Sequence, residues 1–273
     1  MKVAIDAGHS FITAGKRTPK FADGSFMHEF AFNSVVADRL DFLLRNAGIK
    51  TYLTFDPKGQ TDFGYNKRVD MANKWEADLY VSIHANAIGD GAHFNSSYGI
   101  LFLAHEGKPD HVEFAQTLIQ ELEKEYPYKK TLRWIPGSTT QSLCKYSKMP
   151  TAIIEHGFMT NERDAKLLLD YDYRMACANA LYRGIILYAT EKGLLGAGEL
   201  AGIAGINNQT KNETIKAIED LYKRGFLNNP QKWIEFNLNL PLPAYVTFLL
   251  MDRIARDQGN KIDEIEKLLG GIR

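Results

Sequence analysis

Cysteine is scarce in this sequence of 273 residues, where only Cys144 and Cys177 occur. So few cysteines exclude a small scaffold stapled by several disulfides, which small secreted domains use in place of a large core. The count leaves room for one disulfide, but free cysteine is among the most buried residue types. We therefore predict two buried thiols in a reducing compartment.

Net charge is also absent, because 33 Lys and Arg residues balance 33 Asp and Glu residues. A neutral chain has no overall basic field with which to attract nucleic acid or an anionic membrane surface. We expect no nucleic-acid partner, and local contacts must recognise whatever the protein binds.

Long hydrophobic runs are missing as well, and no apolar stretch approaches the ~20 residues that a membrane span needs. The N-terminal residues MKVAIDAGHS lead directly into a predicted strand, without the apolar segment of a secretory signal. We expect that the chain does not insert into a membrane and that it is made in the cytoplasm. Work outside the cell would then require another route of exit.

What the sequence does contain is an alternation of short apolar runs with longer segments of helical periodicity. Hydrophobic residues make up 45% and charged residues 24%, as in ordinary soluble domains. The alternation predicts an α/β domain over residues 1–192. Strands are predicted at residues 3–6, 50–55, 77–84, 98–104 and 151–155. Helices are predicted at residues 29–47, 66–75, 112–126, 162–169 and 173–192, and Gly48 is well placed to stop the first of them.

The composition of the sequence changes after residue 192. Five glycines fall between residues 193 and 208, which predicts a linker over residues 193–209. Residues 210–273 contain two apolar, helix-like stretches and are too few for a large core. We predict a small helical C-terminal module there. The alternatives are a dimerisation element or a segment that packs on the first domain, so the oligomeric state stays open.

Four polar residues occupy positions where strands end or helices begin. His9 follows the first predicted strand, His84 ends the strand ADLYVSIH, and Glu155 ends the strand TAIIE. Glu29 starts a long helix. Because ligands of open α/β sheets bind beyond the carboxyl ends of the strands, three of these side chains are expected at one edge. Each ligand candidate alone has a plainer interpretation: His9 as a loop cap, His84 as a hydrogen-bonded core histidine, and Glu29 as a first-turn helix acid.

Two histidines, one carboxylate and one open position form a common catalytic zinc arrangement. Zinc lowers the pKa of water from ~15.7 to ~7, which supplies a nucleophile at neutral pH. A second carboxylate that does not bind the metal can then accept the proton and pass it to a leaving amine. Glu155 suits this role, because the preceding residues Ala152, Ile153 and Ile154 form an apolar surround that raises a carboxyl pKa.

Five short motifs occur in order along residues 1–190. They are DAGHS at 6–10, Glu-x-x-x-Asn at 29–33, Arg-x-x-x-x-Asn at 68–73, SIHAN at 82–86 and EHGFMTN at 155–161. Together they resemble the zinc-dependent N-acetylmuramoyl-L-alanine amidases, the family called amidase type 3. The resemblance implies a twisted, mostly parallel sheet flanked by helices, in which His9, Glu29 and His84 bind Zn²⁺. It also implies that Glu155 is the catalytic acid and base.

In this family the substrate is the peptidoglycan amide that joins the lactyl group of N-acetylmuramic acid to L-alanine of the stem peptide. Asn86 and Arg68 are candidates for orienting the ligands or the fold from behind. Two other histidines near the motifs are not assigned to the metal. His28, beside Glu29, could compete for it but starts a helix, and His156 points to the opposite face of an extended strand.

The resemblance also suggests a biological setting. We predict a lytic, endolysin-like amidase of a bacteriophage or prophage, which waits in the cytoplasm and acts on the cell wall after release. Residues 210–273 could then direct it to cell-wall polymers. The alternatives are a bacterial autolysin or sporulation amidase with the same chemistry, a non-catalytic wall-binding protein on a degenerate amidase fold, and a zinc peptidase acting on soluble peptides.

Overall fold

A computed structural model describes residues 1–133, 142–196, 199, 200 and 203 of the chain. Within these residues there are six strands and six helices. The strands are β1 (Lys2–Ala7), β2 (Lys50–Leu53), β3 (Leu79–Asn86), β4 (Ile100–Leu103), β5 (Thr131–Arg133) and β6 (Thr151–Phe158). The helices are α1 (Glu29–Asn46), α2 (Tyr65–Trp75), α3 (Pro109–Glu125), α4 (Ser142–Tyr146), α5 (Glu162–Leu169) and α6 (Tyr171–Glu191).

The six strands form one sheet in the order β2-β1-β3-β6-β4-β5. Strand β1 pairs in parallel with β2 and β3, and β3 pairs in parallel with β6. Strand β4 runs antiparallel to β6, and β5 lies parallel to β4 at the far edge. The mostly parallel sheet flanked by helices is therefore confirmed, with one pair of strands reversed.

The central strands are apolar on both faces, because helices cover both faces of a parallel sheet. Every residue of β6 is buried, as are all but the last residue of β3. On one face, Ile153 of β6 shares a core with Val69 of α2 and Leu143 of α4. On the other face, α1 and α3 pack against the strands and each packs against α6, and Phe32 of α1 lies against the ring of His156. The site described below lies at the carboxyl edge of this packed sheet.

Helix α1 carries one of the site residues, and its ends follow from the sequence. Its buried face is apolar at helical spacing and includes Phe32, Val36, Leu40, Leu43 and Leu44. The helix ends at Asn46, and Gly48 then takes φ +77°, a left-handed conformation that glycine adopts without steric cost. Core packing along α1 therefore holds its first residue, Glu29, at the edge of the sheet.

Two short elements were not predicted from the sequence. Strand β5 has three residues and α4 has five, too few for a strand or helix period to show. Two predicted strand ends were also wrong: β3 continues past His84 to Asn86, and β6 continues past Glu155 to Phe158. The pairing of these strands shifts register between His84 and Asn86. Both site residues therefore lie within strands, just before an irregularity in the ladder.

Both cysteines are free and buried, as the sequence predicted. Cys144 lies in α4 and Cys177 lies in α6. Burial raises the pKa of the Cys144 thiol to about 12 and also raises that of Cys177. Neither thiol is therefore a reactive thiolate near neutral pH.

The described residues form a compact unit from Met1 to Leu200. Residues 210–273, where a helical module was predicted, and most of the predicted linker at 193–209 lie outside the described residues. The boundaries at 192 and 209 therefore stay predictions. Within the part of the chain that the structure describes, no helix is both long and apolar enough to cross a bilayer.

Candidate metal centre

The first site residue lies in a tight turn after β1. The amide of Gly8 donates to the carbonyl of Ile83 at 2.9 Å, which ties this turn to β3. A Cβ atom at position 8 would lie 2.0 Å from Cε1 of His84, so only glycine leaves room for that imidazole. The next residue, His9, has φ +63°, a left-handed conformation that histidine tolerates better than most side chains. The turn brings the ring of His9 to 5.0 Å from the ring of His84.

The carboxylate of Glu29 lies between these two imidazoles. Its Oε1 is 3.0 Å from Nδ1 of His84, and its Oε2 is 3.3 Å from Nε2 of His9. The three side chains expose 9% or less of their surface, and one ligand atom from each lies within 4.8 Å of the others. Two ligand atoms bound about 2.0–2.1 Å from a tetrahedral zinc are separated by about 3.3 Å. The donor types and their spacing therefore fit a divalent cation.

Burial and mutual charge set the protonation of these three groups. Burial lowers the pKa of His9 to about 4, although the charge of Glu29 opposes the shift. Burial disfavours the charged form of Glu29, but the hydrogen bond and charge of His84 outweigh it and hold the pKa of Glu29 below its usual value. Burial also opposes charge on His84, and the hydrogen bond to Glu29 more than offsets this, so the pKa of His84 is raised. A neutral His9 and an ionised Glu29 are the forms that bind a metal.

Two further donors fix the carboxylate of Glu29. The amide of Ala85 donates to its Oε1 at 3.1 Å, and Nδ2 of Asn33 donates to the same oxygen at 3.3 Å. Asn33 lies one helical turn after Glu29, which is the spacing of the Glu-x-x-x-Asn motif. Its Nδ2 also lies 3.0 Å from the carbonyl oxygen of Gly8. Asn33 thereby joins the start of α1 to the turn that carries His9.

Arg68 of α2 holds the backbone of the same turn. Its Nη1 donates to Oδ1 of Asp6 at 2.6 Å and to the carbonyl of Ala7 at 2.7 Å. Its Nη2 donates to the carbonyl of His9 at 2.8 Å. Asp6 also accepts a hydrogen bond from Oγ of Ser82 at 2.6 Å. Arg68, which the sequence proposed as an orienting residue, thus lies behind His9 and contacts the backbone of this ligand.

Asp6 is a site residue that the sequence analysis missed. It lies one residue before the end of β1, between the apolar residues Ile5 and Ala7, and is 1% exposed. A carboxylate in such a place requires a cationic or hydrogen-bonding partner, and this requirement was the available signal. The partner, Arg68, lies 62 residues away in the sequence, so the pair could not be assigned from local pattern.

Glu155 lies next to the candidate metal ligand His84 in the sheet. It is the register partner of His84 across β3 and β6, so the two side chains project from the same face. Its Oε2 is buried and has no hydrogen-bond partner among the described residues. Burial raises the pKa of Glu155 to about 7, against the charge of His84 and with that of Glu29. A carboxyl group with this pKa can both take up and release a proton near neutral pH.

Asn86, the other proposed orienting residue, makes its hydrogen bonds elsewhere. Its Oδ1 accepts from the amide of Ala87 at 2.7 Å, and its carbonyl accepts from the amide of Met159 at 2.7 Å. These bonds fix the loop after β3 to the end of β6. Among the described residues, none of them reaches a metal ligand.

The two neighbouring histidines also lie apart from the ligand cluster. His28 precedes α1, and its ring packs between those of Phe11 and Phe26. His156 projects from the opposite face of β6, and its Nδ1 is 3.1 Å from the carbonyl oxygen of His84. The group of metal-binding side chains found in the described residues contains neither of them.

Fold and site together define a class of protein: an α/β domain with a buried His–Glu–His cluster that could hold a metal ion and a carboxyl group beside it, at the carboxyl edge of a mostly parallel sheet. The model of the N-acetylmuramoyl-L-alanine amidase family, amidase type 3, matches residues 3–187, which is more than half of the chain. The chain belongs to this family.

Several relatives show the same relationship. The N-acetylmuramoyl-L-alanine amidase LytC of Bacillus subtilis is 29% identical over 68% of this chain and 35% of its own length. The germination-specific N-acetylmuramoyl-L-alanine amidase of the same species is 29% identical over 70% of this chain and 81% of its own length. The solved structure of the CwlD amidase from Clostridioides difficile, in complex with the GerS lipoprotein, has a TM-score of 0.59 at 25% identity. The match covers 69% of this chain and 98% of the CwlD chain. The chain spans only 36% and 35% of the length of two curated relatives that it matches.

Replacing Gly8 with alanine is expected to abolish metal binding, because the new methyl group would occupy the space of the His84 imidazole. Gly64→Ala is the matched control, since Gly64 has φ −62° and nothing lies within 4 Å of an added Cβ. The wild type and both variants would be loaded with zinc and dialysed, and the bound metal per chain would then be measured. Full occupancy in the Gly8 variant would contradict the packing of His84 against this turn.

Replacing Arg68 with methionine is expected to lower the free energy of unfolding by about 3–5 kcal/mol, because the buried charge of Asp6 loses its partner. Lys67→Met, at the exposed neighbouring position, should change it by no more than ~0.5 kcal/mol. Urea denaturation followed by circular dichroism measures both values. A change at Arg68 as small as that at Lys67 would show that the pair does not support the turn.

Proposed function

We propose that this protein is a zinc-dependent N-acetylmuramoyl-L-alanine amidase that hydrolyses peptidoglycan at the amide between N-acetylmuramic acid and L-alanine of the stem peptide. Family membership supports the class of reaction. One observation carries the proposal. The buried cluster of His9, Glu29 and His84 has beside it, across one strand pair, a carboxyl oxygen of Glu155 that no described residue contacts by hydrogen bond.

His9, Glu29 and His84 would hold the zinc ion with three protein ligands, as catalytic zinc sites do. When bound, zinc supplies a Lewis acid that polarises the amide carbonyl and makes water a stronger acid. The chain prepares two of these ligands in advance, because His9 is held neutral and Glu29 is held ionised. The pKa of His84 is raised, so its imidazole would release a proton when the cation binds.

Glu155 is the proposed proton carrier. As a carboxylate it takes a proton from the attacking water while the water oxygen forms a bond to the amide carbon. It then delivers this proton to the amide nitrogen as the carbon–nitrogen bond breaks. The products are a lactyl carboxylic acid and the free amine of L-alanine. The raised pKa of Glu155 supports both the uptake and the release of the proton, and its Oε2 has no hydrogen-bond partner among the described residues that would compete.

The biological setting remains part of the proposal. A phage or prophage endolysin that reaches the wall from the cytoplasm is the setting that the sequence predicted. The alternative is a bacterial autolysin or sporulation amidase, and it gains support from a relative that is named as germination-specific. The chemistry at the metal centre is the same in both settings. Recognition of wall polymers by residues 210–273 also stays a prediction.

Purified peptidoglycan incubated with the protein tests the bond that is cut. We expect new free L-alanine amines and no new reducing sugars. A chelator should abolish their release, and added zinc should restore it. New reducing ends would identify a glycosidase and would refute the proposal. Pelleting with the wall without any new chemical ends would favour the non-catalytic wall-binding alternative.

The Glu155→Gln variant is expected to bind zinc normally and to lose activity by at least about 100-fold, because the amide cannot carry the proton. Glu162→Gln is the control, since Glu162 lies at the start of α5 with its side chain 55% exposed. Metal content and the rate of amine release would be measured for both variants. Normal turnover in Glu155→Gln would remove this residue from the mechanism.

A further inference from the structure

His156 is a buried histidine beside Glu155 that the proposed reaction does not use. It is 0% exposed, and its ring lies 5.4 Å from the ring of Phe32. The hydroxyl of Tyr173 donates to the carbonyl of His156 at 2.7 Å and ties this residue to α6. A buried imidazole costs more free energy than an apolar side chain of similar size, unless it makes a hydrogen bond. Its presence in the core therefore directs attention to the partner of its ring.

That partner is the carbonyl oxygen of His84, which lies 3.1 Å from Nδ1 of His156. A carbonyl oxygen only accepts hydrogen bonds, so Nδ1 is the ring nitrogen that carries the proton and donates it. The other ring nitrogen, Nε2, is buried and has no hydrogen-bond partner among the described residues. The hydrogen bond to His84 therefore offsets the cost of burying this imidazole.

The bond is made at the irregularity between β3 and β6. Along β3 the register advances by two residues, from His84 to Asn86. Along β6 it advances by three, from Glu155 to Phe158. The extra residue in β6 is a bulge, a feature that interrupts the ladder of backbone hydrogen bonds and re-aims nearby side chains. His156 lies in this bulge, and its side chain contacts β3 where the regular pairing is interrupted.

The carbonyl of His84 belongs to the same peptide unit as the amide of Ala85. This amide donates to Oε1 of Glu29 at 3.1 Å. Because a peptide unit is planar and rigid, a bond that fixes the direction of its C=O also fixes the direction of its N–H. A hydrogen bond to the oxygen also polarises the N–H and strengthens the bond that it donates. His156 is thus connected to the carboxylate of Glu29 through one peptide unit.

We propose that His156 is a positioning residue of the metal centre, which holds the peptide unit of His84 and Ala85 so that its amide fixes the carboxylate of Glu29. Because it takes Glu29 as a metal ligand, this role rests on the proposed function. Groups that hold a metal ligand from behind change metal affinity by about 10–100-fold. His156 acts from one peptide unit further away, so we expect an effect of about tenfold, at the lower end of this range.

Two substitutions separate the hydrogen bond from the space that the ring fills. Asparagine places its Nδ2 donor the same number of bonds from the backbone as Nδ1 of histidine, whereas leucine has the same branched shape and no donor. His156→Asn should therefore keep the bond, and His156→Leu should lose it. His111→Leu is the control, because His111 is a buried histidine of α3 whose Nδ1 has no hydrogen-bond partner among the described residues.

The amide of Ala85 can be observed by itself with NMR, because His84 and Ala85 form the only His–Ala pair in the sequence. Labelling the full-length protein with ¹³C-carbonyl histidine and ¹⁵N-alanine leaves one signal in a carbonyl-filtered spectrum. Before zinc is added, His156→Leu should move this amide proton upfield, because its bond to Glu29 weakens. His156→Asn and His111→Leu should leave it near the wild-type position.

Zinc affinity is then measured by competition with a chelating dye, at a temperature where circular dichroism shows that each variant is folded. His156→Leu should weaken zinc binding about tenfold, while His156→Asn should stay within about threefold of the wild type. His111→Leu should bind zinc as the wild type does. A role in packing alone would instead make the asparagine and leucine variants equally weak, or would lower stability without changing affinity.

The wild type provides a test that does not depend on the folding of any variant. Long-range ¹H–¹⁵N spectra should show the ring proton of His156 on Nδ1, with the signals assigned by their loss in His156→Asn. A proton on Nε2 instead would overturn the inference. Equal zinc affinities of the asparagine and leucine variants, an unchanged Ala85 signal in the leucine variant, or a wild type that binds no zinc would overturn it as well.

The amidase function is judged separately, by whether the wild type releases L-alanine amines from peptidoglycan. A wild type that cleaves peptidoglycan, but whose zinc affinity does not depend on a donor at His156, refutes the positioning role alone. A protein that does not cleave, but whose zinc affinity and Ala85 signal depend on that donor, refutes the amidase function alone.

Discussion

The shared carboxylate of Glu29 is the group on which the rest of the site depends. It is the point where the start of α1, the turn after β1 and the end of β3 meet. A buried carboxylate without partners would be costly, and here two imidazoles, a backbone amide and Asn33 satisfy its oxygens. The same contacts hold the two histidines at the distance that a small cation requires. Satisfying one buried charge and building a metal site are thus the same structural solution.

A second buried charge determines where the first can be. The pair of Asp6 and Arg68 lies behind the turn, and Arg68 also binds the backbone of His9. A buried ion pair is weak evidence for added stability, since its desolvation offsets much of its attraction. Here the ion pair instead fixes the backbone of His9, which has a left-handed conformation. The strain at His9 and the packing at Gly8 are tolerated because this pair and Asn33 hold the turn from two sides.

Much of this arrangement could be predicted from the sequence, and the failures have physical reasons. The period of α1 placed Glu29 at a helix start, and the strand ends placed His84 and Glu155 at one edge. The residues alone left plainer interpretations open, and the order of the motifs was needed to choose the ligands. The ends of β3 and β6 were wrong because strand length depends on pairing with a distant segment. The pairing of Arg68 with Asp6 and the clash that requires Gly8 exist only in three dimensions.

The candidate ligands are far apart in the chain, and His84 lies 55 positions after Glu29. An unfolded chain cannot present them together, so a cation bound by all three favours the native state by mass action. With the proposed metal bound, metal supply and folding would be thermodynamically coupled in this domain. A cell that withholds the ion would limit the amount of native protein as well as its chemistry. The side chains proposed for hydrolysis would then also stabilise the native arrangement of β1, α1 and β3 when they bind the ion.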